Sequence, residues 1–211
     1  MKCTNCGRLI VPVVALDIDG VLGEYHDHLL HFMDAYFGRR MPRGWNGTGD
    51  WEDFLNLSQA EYREAKLAFR QGGMKRTMPV RDGAFELAFL ATQHGAEVWI
   101  TTTRPWNRLD SVDPDTREWL RRNNIYYDHL LYDDNKYVRL AQIVGCERVA
   151  FVLDDLPEMW QEAEAHFPQR SYLLMRAHNV TADEKVRRLA NLQQAAKVMT
   201  ENINQWKGMA Q

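Results

Sequence analysis

Short apolar runs alternate along the chain with amphipathic stretches, and the apolar runs end in polar residues. The runs have the length of buried strands, whereas the stretches between them repeat apolar residues with the spacing of a helix. This alternation predicts an α/β fold with a parallel sheet flanked by helices. The predicted strands are residues 11–16, 97–101, 148–153 and 171–175. The predicted core helices are residues 83–94, 115–123, 136–144 and 157–166.

The segment between the first two predicted strands, residues 25–78, has a different pattern, because it contains no strand signal. Its two best helices are residues 25–37 and 58–71, separated by a loop rich in Gly, Arg and Trp. Ser58 and Glu61 have the spacing of a capping box at the start of the second helix. We therefore expect a small helical cap over the carboxyl edge of the sheet.

The last segment, residues 181–211, has the pattern of one long helix. Thr181 and Glu184 have the spacing of a capping box, and apolar residues follow at three- and four-residue spacing as far as Trp206. This apolar face is expected either to pack against the helices that flank the sheet or to form a homodimer contact. The predicted organisation is a core of residues 1–24 and 79–180, a cap of residues 25–78 and this C-terminal helix.

Composition excludes several classes of protein. The chain has 211 residues, of which 45% are hydrophobic and 26% charged, as in ordinary globular proteins rather than disordered ones. No apolar run approaches the roughly 20 residues that span a bilayer. A net charge of −3 is unlike that of proteins that coat nucleic acid. Three cysteines, and a first ten residues unlike a secretion signal, predict a soluble protein of the reducing cytoplasm.

Candidate chemistry lies where the predicted strands end. Asp17 and Asp19 follow the first strand, Thr102 follows the second, and Asp154 and Asp155 follow a later one. In open α/β sheets these carboxyl ends meet at one edge, which is where ligands bind. Clustered carboxylates repel one another unless a cation neutralises them, and oxygen-only ligation favours Mg²⁺. The pattern therefore predicts a magnesium site suited to phosphoryl transfer.

These segments resemble the four motifs of haloacid dehalogenase (HAD) superfamily phosphatases, in the same order. Residues 17–22, Asp-Ile-Asp-Gly-Val-Leu, resemble the first motif, and the Thr-ended strand resembles the second. Lys136 stands where the third is expected, and residues 153–155, Leu-Asp-Asp, resemble the fourth. The resemblance implies a HAD-like, Rossmann-like core with a helical cap inserted after the first strand.

The resemblance also implies catalytic roles. Asp17 would be the nucleophile that forms an aspartyl-phosphate, and Asp19 would protonate the leaving oxygen and then activate water. Asp17, the backbone carbonyl of Asp19 and Asp154 would bind Mg²⁺ directly, and Asp155 would bind it directly or through water. Lys136 would neutralise the nucleophile.

Some assignments stay open at this stage. Thr102 would bind a phosphate oxygen, but Thr101 and Thr103 are close competitors for that role. Lys75 and Arg104 are alternatives that would share the task of Lys136.

The substrate class is implied by a looser resemblance to 5′(3′)-deoxyribonucleotidases, which extends to residues 176–179, Arg-Ala-His-Asn. Part of the chain also resembles the 3′-phosphatase domain of phage polynucleotide kinase, which has a smaller insert. A nucleoside or deoxynucleoside monophosphate is therefore the expected substrate; a 3′-phosphorylated strand end and a non-catalytic binding module are the alternatives. The candidate substrate-binding residues are Thr103, Arg104, Trp106, Arg43 and Arg76. Further candidates for stacking on a base are Phe37, Trp45 and Trp51.

A structural zinc site is a separate prediction. Cys3 and Cys6 resemble half of a zinc knuckle, and Cys146 precedes a strand at the same edge, opposite the catalytic motifs. With His94 or His166 they would complete a tetrahedral Cys₃His shell. The alternatives are free thiols or an ion shared between two chains.

Overall fold

One parallel sheet organises the chain. The computed structural model describes residues 10–181, 183 and 185–209. Its strands are β1 Val13–Leu16, β2 Glu97–Thr102, β3 His129–Tyr132, β4 Val149–Asp154, β5 Ser171–Leu174 and β6 Arg188–Leu189. Within these residues the sheet has six strands in the order β3-β2-β1-β4-β5-β6, all paired in parallel.

Helices cover both faces of this sheet, and the predicted α/β class is confirmed. They are α1 Tyr25–Phe37, α2 Trp51–Phe54, α3 Gln59–Gln71, α4 Ala84–Gln93, α5 Val112–Arg122, α6 Lys136–Val144, α7 Pro157–His166 and α8 Leu192–Met209. The central strands β1, β2 and β4 are almost wholly buried, as expected for a parallel sheet covered on both sides. Helices α1 and α3 share a separate apolar cluster that includes Met33 and Phe69.

Three of the described elements, β3, α2 and β6, were absent from the sequence prediction. β3 lies at the edge of the sheet, and its four residues are half-buried or exposed, so they show no continuous apolar run. α2 is a single turn inside the predicted loop of the cap. α5 also begins at Val112, three residues before the predicted start.

The prediction of one helix from Thr181 onward is wrong in its first part. α8 begins at Leu192, and β6 precedes it along the edge of β5. Val186 and Leu189 are buried, so their spacing was a true sign of burial. The open edge of β5, whose backbone groups need partners, decides the conformation in favour of a strand. Glu184 of the predicted capping box lies outside the described residues.

The apolar face of α8 is buried within the chain. Met199, Ile203 and Trp206 belong to the same core cluster as residues of α4 and β4. This is the packing alternative of the sequence analysis, and the homodimer contact stays a prediction. None of the helices in the described ranges has the length and apolarity required to cross a bilayer.

The zinc prediction falls mostly outside the described residues, since Cys3 and Cys6 precede residue 10. Cys146 is an exposed free thiol in a short 3₁₀ turn just before β4. It therefore lies at the edge of the sheet opposite the carboxyl ends of the strands, as predicted. The zinc site itself stays a prediction.

Trp119 ties α5 to the segment that returns from the cap to the core. Its side chain is 1% exposed, and its Nε1 donates a hydrogen bond to the Met78 carbonyl oxygen at 2.6 Å. We expect Trp119→Phe to lower the free energy of unfolding by about 1–3 kcal/mol, because a buried acceptor is left unpaired. Urea unfolding measures this. Trp160→Phe is the matched control, because it removes the hydrogen bond from Trp160 Nε1 to the Ser171 carbonyl oxygen. Trp160 is less buried than Trp119, so this variant should lose less free energy of unfolding.

Candidate active site

Three carboxylates converge because two neighbouring strands end together. Asp17 follows β1, and its backbone N–H continues the pairing with β4 by donating to the Leu153 carbonyl at 3.1 Å. Asp154 is the last residue of β4, and Asp155 follows it. One carboxylate oxygen from each of Asp17, Asp154 and Asp155 lies within 4.8 Å of the other two. All three residues are buried, so their negative charges require compensation.

Lys136, the first residue of α6, supplies part of that compensation. Its ammonium group contacts Asp17 Oδ1 and lies 2.7 Å from Asp154 Oδ2, and the residue is 1% exposed. Burial raises the pKa of Asp17, an effect that Lys136 opposes and Asp154 reinforces. Burial alone would lower the pKa of Lys136, but Asp154 and Asp17 raise it. Lys136 is therefore held as a cation between the two carboxylates.

Asp154 is fixed in place by further donors. The Tyr137 hydroxyl donates to Asp154 Oδ2 at 2.6 Å. The backbone N–H groups of Asp155 and Leu156 donate to its other oxygen at 2.9 and 3.0 Å. These bonds orient one oxygen toward Lys136 and hold the turn that carries Asp155.

Asp155 differs, since neither of its carboxylate oxygens has a hydrogen bond from the described residues although the side chain is fully buried. His178 Nε2 lies 3.0 Å from Asp155 Oδ2, but its hydrogen bond goes to the backbone oxygen of Asp155, also at 3.0 Å. Asn179 Nδ2 donates to the same backbone oxygen at 2.7 Å. A buried carboxylate whose nearest side-chain donor is a single histidine, beside two other carboxylates, fits a hard divalent cation with oxygen ligands.

Gly20 gives the carboxylate of Asp155 its space. It has a φ of +97°, and a Cβ added there would lie 1.9 Å from Asp155 Oδ2. The Arg176 Nε donates to the Gly20 carbonyl at 2.7 Å and holds this turn. The glycine of the Asp-Ile-Asp-Gly segment is thus required both for its backbone conformation and for the close approach of Asp155.

Asp19 is held by two buried cations. The Arg104 Nη2 lies 2.5 Å from Asp19 Oδ1, and its Nε lies 3.0 Å from Oδ2. Lys75, from the segment after α3, lies 2.5 Å from Oδ2. Burial would raise the pKa of Asp19, but Arg104 and Lys75 lower it well below its ordinary value. Burial lowers the pKa of Lys75 to about 7, although Asp19 opposes the shift.

Asp17 and Asp19 open into one cavity of about 190 Å³ between the sheet edge and the cap. Thr102 and Thr103 line it, and Thr101, which the sequence left as a competitor, does not. The remaining charged residues on its walls are cations: Lys66, Arg70, Lys75 and Arg104. The cavity therefore joins the strand end that carries Asp17 and Asp19 to a wall of four cations.

Solved structures of known proteins share this architecture at low sequence identity. A HAD family hydrolase from Deinococcus radiodurans, solved with phosphate and sodium, has a TM-score of 0.60 at 15% identity over 92% of this chain and 97% of that one. A predicted phosphatase from Clostridium acetobutylicum has a TM-score of 0.62 at 12% identity over 92% and 100%. A HAD hydrolase from Entamoeba histolytica has a TM-score of 0.55 at 15% identity over 92% and 100%.

This chain has a HAD-like fold. No family model and no curated protein matches the sequence, so the likeness rests on structure alone. The HAD-like core that the motifs implied is confirmed, together with a buried acidic cluster at the expected strand ends. The finer resemblance to deoxyribonucleotidases or to phage polynucleotide kinase stays a prediction.

The three cations that the sequence analysis assigned to the site contact two different carboxylates. Lys136 contacts Asp17, as the sequence predicted, whereas Lys75 and Arg104 contact Asp19. Arg104 also donates from Nη1 to the Thr116 hydroxyl at 2.8 Å, which fixes its guanidinium in the core.

Three predicted substrate-binding residues lie away from the cavity. Arg43 forms an ion pair with Asp34 at 2.6 Å, and Arg76 forms one with Asp115 at 2.6 Å. Trp106 is 50% exposed and lines a neighbouring cleft of about 360 Å³. That cleft shares Arg104 and Pro105 with the cavity, so Trp106 lies beside the cavity that Asp17 and Asp19 line rather than in it.

The other aromatic candidates belong to the cap. Phe37 packs against the apolar cluster that α1 and α3 share. Trp45 and Trp51 contact each other with their ring centroids 4.8 Å apart, and both line a small space beside His26 and His178.

Several residues of the site were not predicted as such: Lys66, Arg70, Tyr137, His26 and His178. His178 belongs to residues 176–179, which the sequence analysis used only for the resemblance to deoxyribonucleotidases. Lys66 and Arg70 carried a detectable signal, because they place like charges one turn apart on a predicted helix.

Proposed function

We propose that the protein is a Mg²⁺-dependent phosphomonoester hydrolase that acts through an aspartyl-phosphate on Asp17. The observation that carries the proposal is the setting of Asp17 at the end of β1. It is buried against Lys136, opens into the cavity, and lies beside the buried carboxylates of Asp154 and Asp155. Buried nucleophiles matched to a fixed cation are typical of covalent catalysis.

In the proposed reaction a carboxylate oxygen of Asp17 attacks the phosphorus atom, and the bond to the leaving oxygen breaks. Lys136 places its positive charge beside Asp17 and so favours the ionised form that attacks, against the effect of burial, and Thr102 and Thr103 line the cavity that the phosphate would enter. Water then attacks the phosphorus of the aspartyl-phosphate, which releases inorganic phosphate and restores Asp17. Asp17, Asp154 and Asp155 would hold Mg²⁺, which when bound supplies positive charge to the phosphoryl oxygens.

Asp19 is the proposed proton donor to the leaving oxygen and the base for water. Arg104 and Lys75 keep it ionised before substrate binds. A phosphate that draws either cation toward itself raises the pKa of Asp19 and prepares it to carry a proton. Substrate binding and acid catalysis are thereby coupled through the same two side chains.

The resemblance to deoxyribonucleotidases makes a nucleoside monophosphate the first substrate to examine. With its phosphate on Asp17, such a molecule would place its base in the cleft beside Trp106. The size of the cavity, and the cap that lies over it, favour a small substrate over a 3′-phosphorylated strand end.

Phosphate release from p-nitrophenyl phosphate, deoxynucleoside monophosphates and 3′-phosphorylated oligonucleotides tests the proposal, with Mg²⁺ and with EDTA. We expect release from the small substrates with Mg²⁺ and loss of at least most of it with EDTA. Preference for the oligonucleotide would select the strand-end alternative, and no release from any substrate would favour a non-catalytic binding module.

Gly20→Ala is expected to lower the affinity for Mg²⁺ by roughly tenfold to a hundredfold, because the new Cβ displaces the carboxylate of Asp155. Gly44→Ala is the matched control: Gly44 has a similar φ of +84°, but a Cβ there meets no atom within 4 Å. Calorimetric titration with Mg²⁺ measures both variants. Equal affinity in the two would mean that the fit between Gly20 and Asp155 does not shape the metal site.

A further inference from the structure

Two cations on the cap face the same cavity as the proposed nucleophile. Lys66 and Arg70 lie one turn apart on α3, and both are half-buried. Within the described residues neither side chain forms an ion pair. The contact that Lys66 makes with its neighbour Tyr62 is cation–π, with its ammonium 5.0 Å from the ring centroid.

This arrangement is unfavourable for the protein alone. Burial, and to a smaller extent Arg70, lower the pKa of Lys66 below its ordinary value, and the weaker opposing effects of Asp19 and Glu52 do not restore it. Like charges one turn apart also destabilise a helix. Elsewhere in this part of the chain, Arg43 and Arg76 are each paired with an aspartate at 2.6 Å. An unpaired cationic couple at a cavity wall therefore indicates an anion that comes from outside the chain.

The phosphate to be cleaved does not require these two cations. Lys136 already accompanies Asp17, and Arg104 and Lys75 already accompany Asp19 at the base of the cavity. Lys66 and Arg70 are additional charges contributed by the cap.

We propose that the substrate is a small phosphomonoester that carries a second anionic group, a phosphate or a carboxylate, bound from the cap by Lys66 and Arg70. This inference rests on the proposed function, since it takes Asp17 as the point of phosphoryl attack. It names the substrate class that the cap selects.

The shape of the cavity supports this class. Its volume of about 190 Å³ is below the roughly 300–1,000 Å³ of pockets that hold larger ligands. The aromatic rings on its wall are those of Tyr25 and His26, and the Lys75 ammonium covers the Tyr25 ring at 3.8 Å from the centroid. A short polar backbone between two anionic groups suits such a space better than a stacked nucleobase does.

Matched pairs of substrates test the second anion. 3-Phosphoglycerate and glycerol 1-phosphate differ by a carboxylate in place of a hydroxymethyl group. Propane-1,3-diol bisphosphate and its monophosphate differ by the second phosphate. We expect the doubly anionic member of at least one pair to have a kcat/KM at least about tenfold higher, because a charge-assisted hydrogen bond contributes that much. The pair with the larger ratio identifies the second group as carboxylate or phosphate.

Variants of the cap assign the effect to its residues. Lys66→Gln and Arg70→Gln should each reduce that selectivity ratio by about tenfold, mainly through KM, and Lys66→Arg should retain most of it. Arg63→Gln removes an exposed charge from the same helix and should leave the ratio unchanged. A ratio near one in the unmodified protein, or equal loss in Arg63→Gln, would overturn the inference.

Binding separates this inference from the proposed reaction. Calorimetry with both members of each pair on the Asp17→Asn variant compares affinities without turnover. Absence of hydrolysis for every substrate would overturn the proposed function, whereas equal affinity within both pairs would overturn the second-anion site.

Discussion

Asp17→Asn is expected to reduce phosphate release at least roughly a thousandfold while the fold is retained, because the amide is not a nucleophile toward phosphorus. Asn has nearly the shape of Asp, and burial disfavours the charge of Asp17, so its removal does not expose the core. Lys136 keeps Asp154 as a partner at 2.7 Å. Steady-state phosphate release measures the loss of activity, and circular dichroism tests whether the fold is retained.

Asp19→Asn is the informative comparison. It should also turn over slowly, but it retains the nucleophile and is expected to accumulate phosphoenzyme under an acid quench. Substantial turnover in Asp17→Asn would remove the covalent mechanism.

Lys136→Met is expected to destabilise the metal-free protein by about 3–5 kcal/mol, because it leaves two buried carboxylates without their cation. Mg²⁺ should restore part of this loss, since binding to the folded state stabilises it. Urea unfolding with and without Mg²⁺ measures both effects. Lys197→Met, an exposed change on α8, is the control and should cost little.

The loss of stability in Lys136→Met should become smaller as the pH falls. The pKa of Asp17 is raised by burial even with Lys136 present, and it rises further without that cation. A buried carboxyl group whose pKa is higher in the folded than in the unfolded state destabilises the fold only while it is ionised. The variant should therefore regain stability as the pH falls toward 3.8, the ordinary pKa of the Asp17 carboxyl group. A loss that stays constant with pH would show that it comes from packing rather than from buried charge.

The acidic cluster at the carboxyl end of the sheet was predictable because its signals are local. A buried run that stops at Asp17 and another that stops at Asp154 identify the carboxyl ends of strands, and parallel pairing brings these ends together. Lys136 was placed by resemblance, and its contact with Asp17 agrees with that placement.

The parts that were missed depend on tertiary structure. β3 is a half-buried edge strand without an apolar run, and β6 forms only because the edge of β5 is open. Arg43 and Arg76 were proposed for the substrate from their charge, but their partners Asp34 and Asp115 are distant in sequence, by nine and 39 residues. Conversely, only the folded cap shows that Lys66 and Arg70 have no ion-pair partner among the described residues.

The most direct test of the central claim is to locate a phosphoryl group on the protein. The Asp19→Asn variant is incubated with a small phosphomonoester and Mg²⁺, quenched in acid and digested, and the peptides are analysed by mass spectrometry. We expect a phosphoryl group on Asp17, and we expect it to be absent when EDTA is added or when Asp17 is also replaced by Asn. Hydrolysis by the unmodified protein with the phosphoryl group on another residue, or on none, would contradict it.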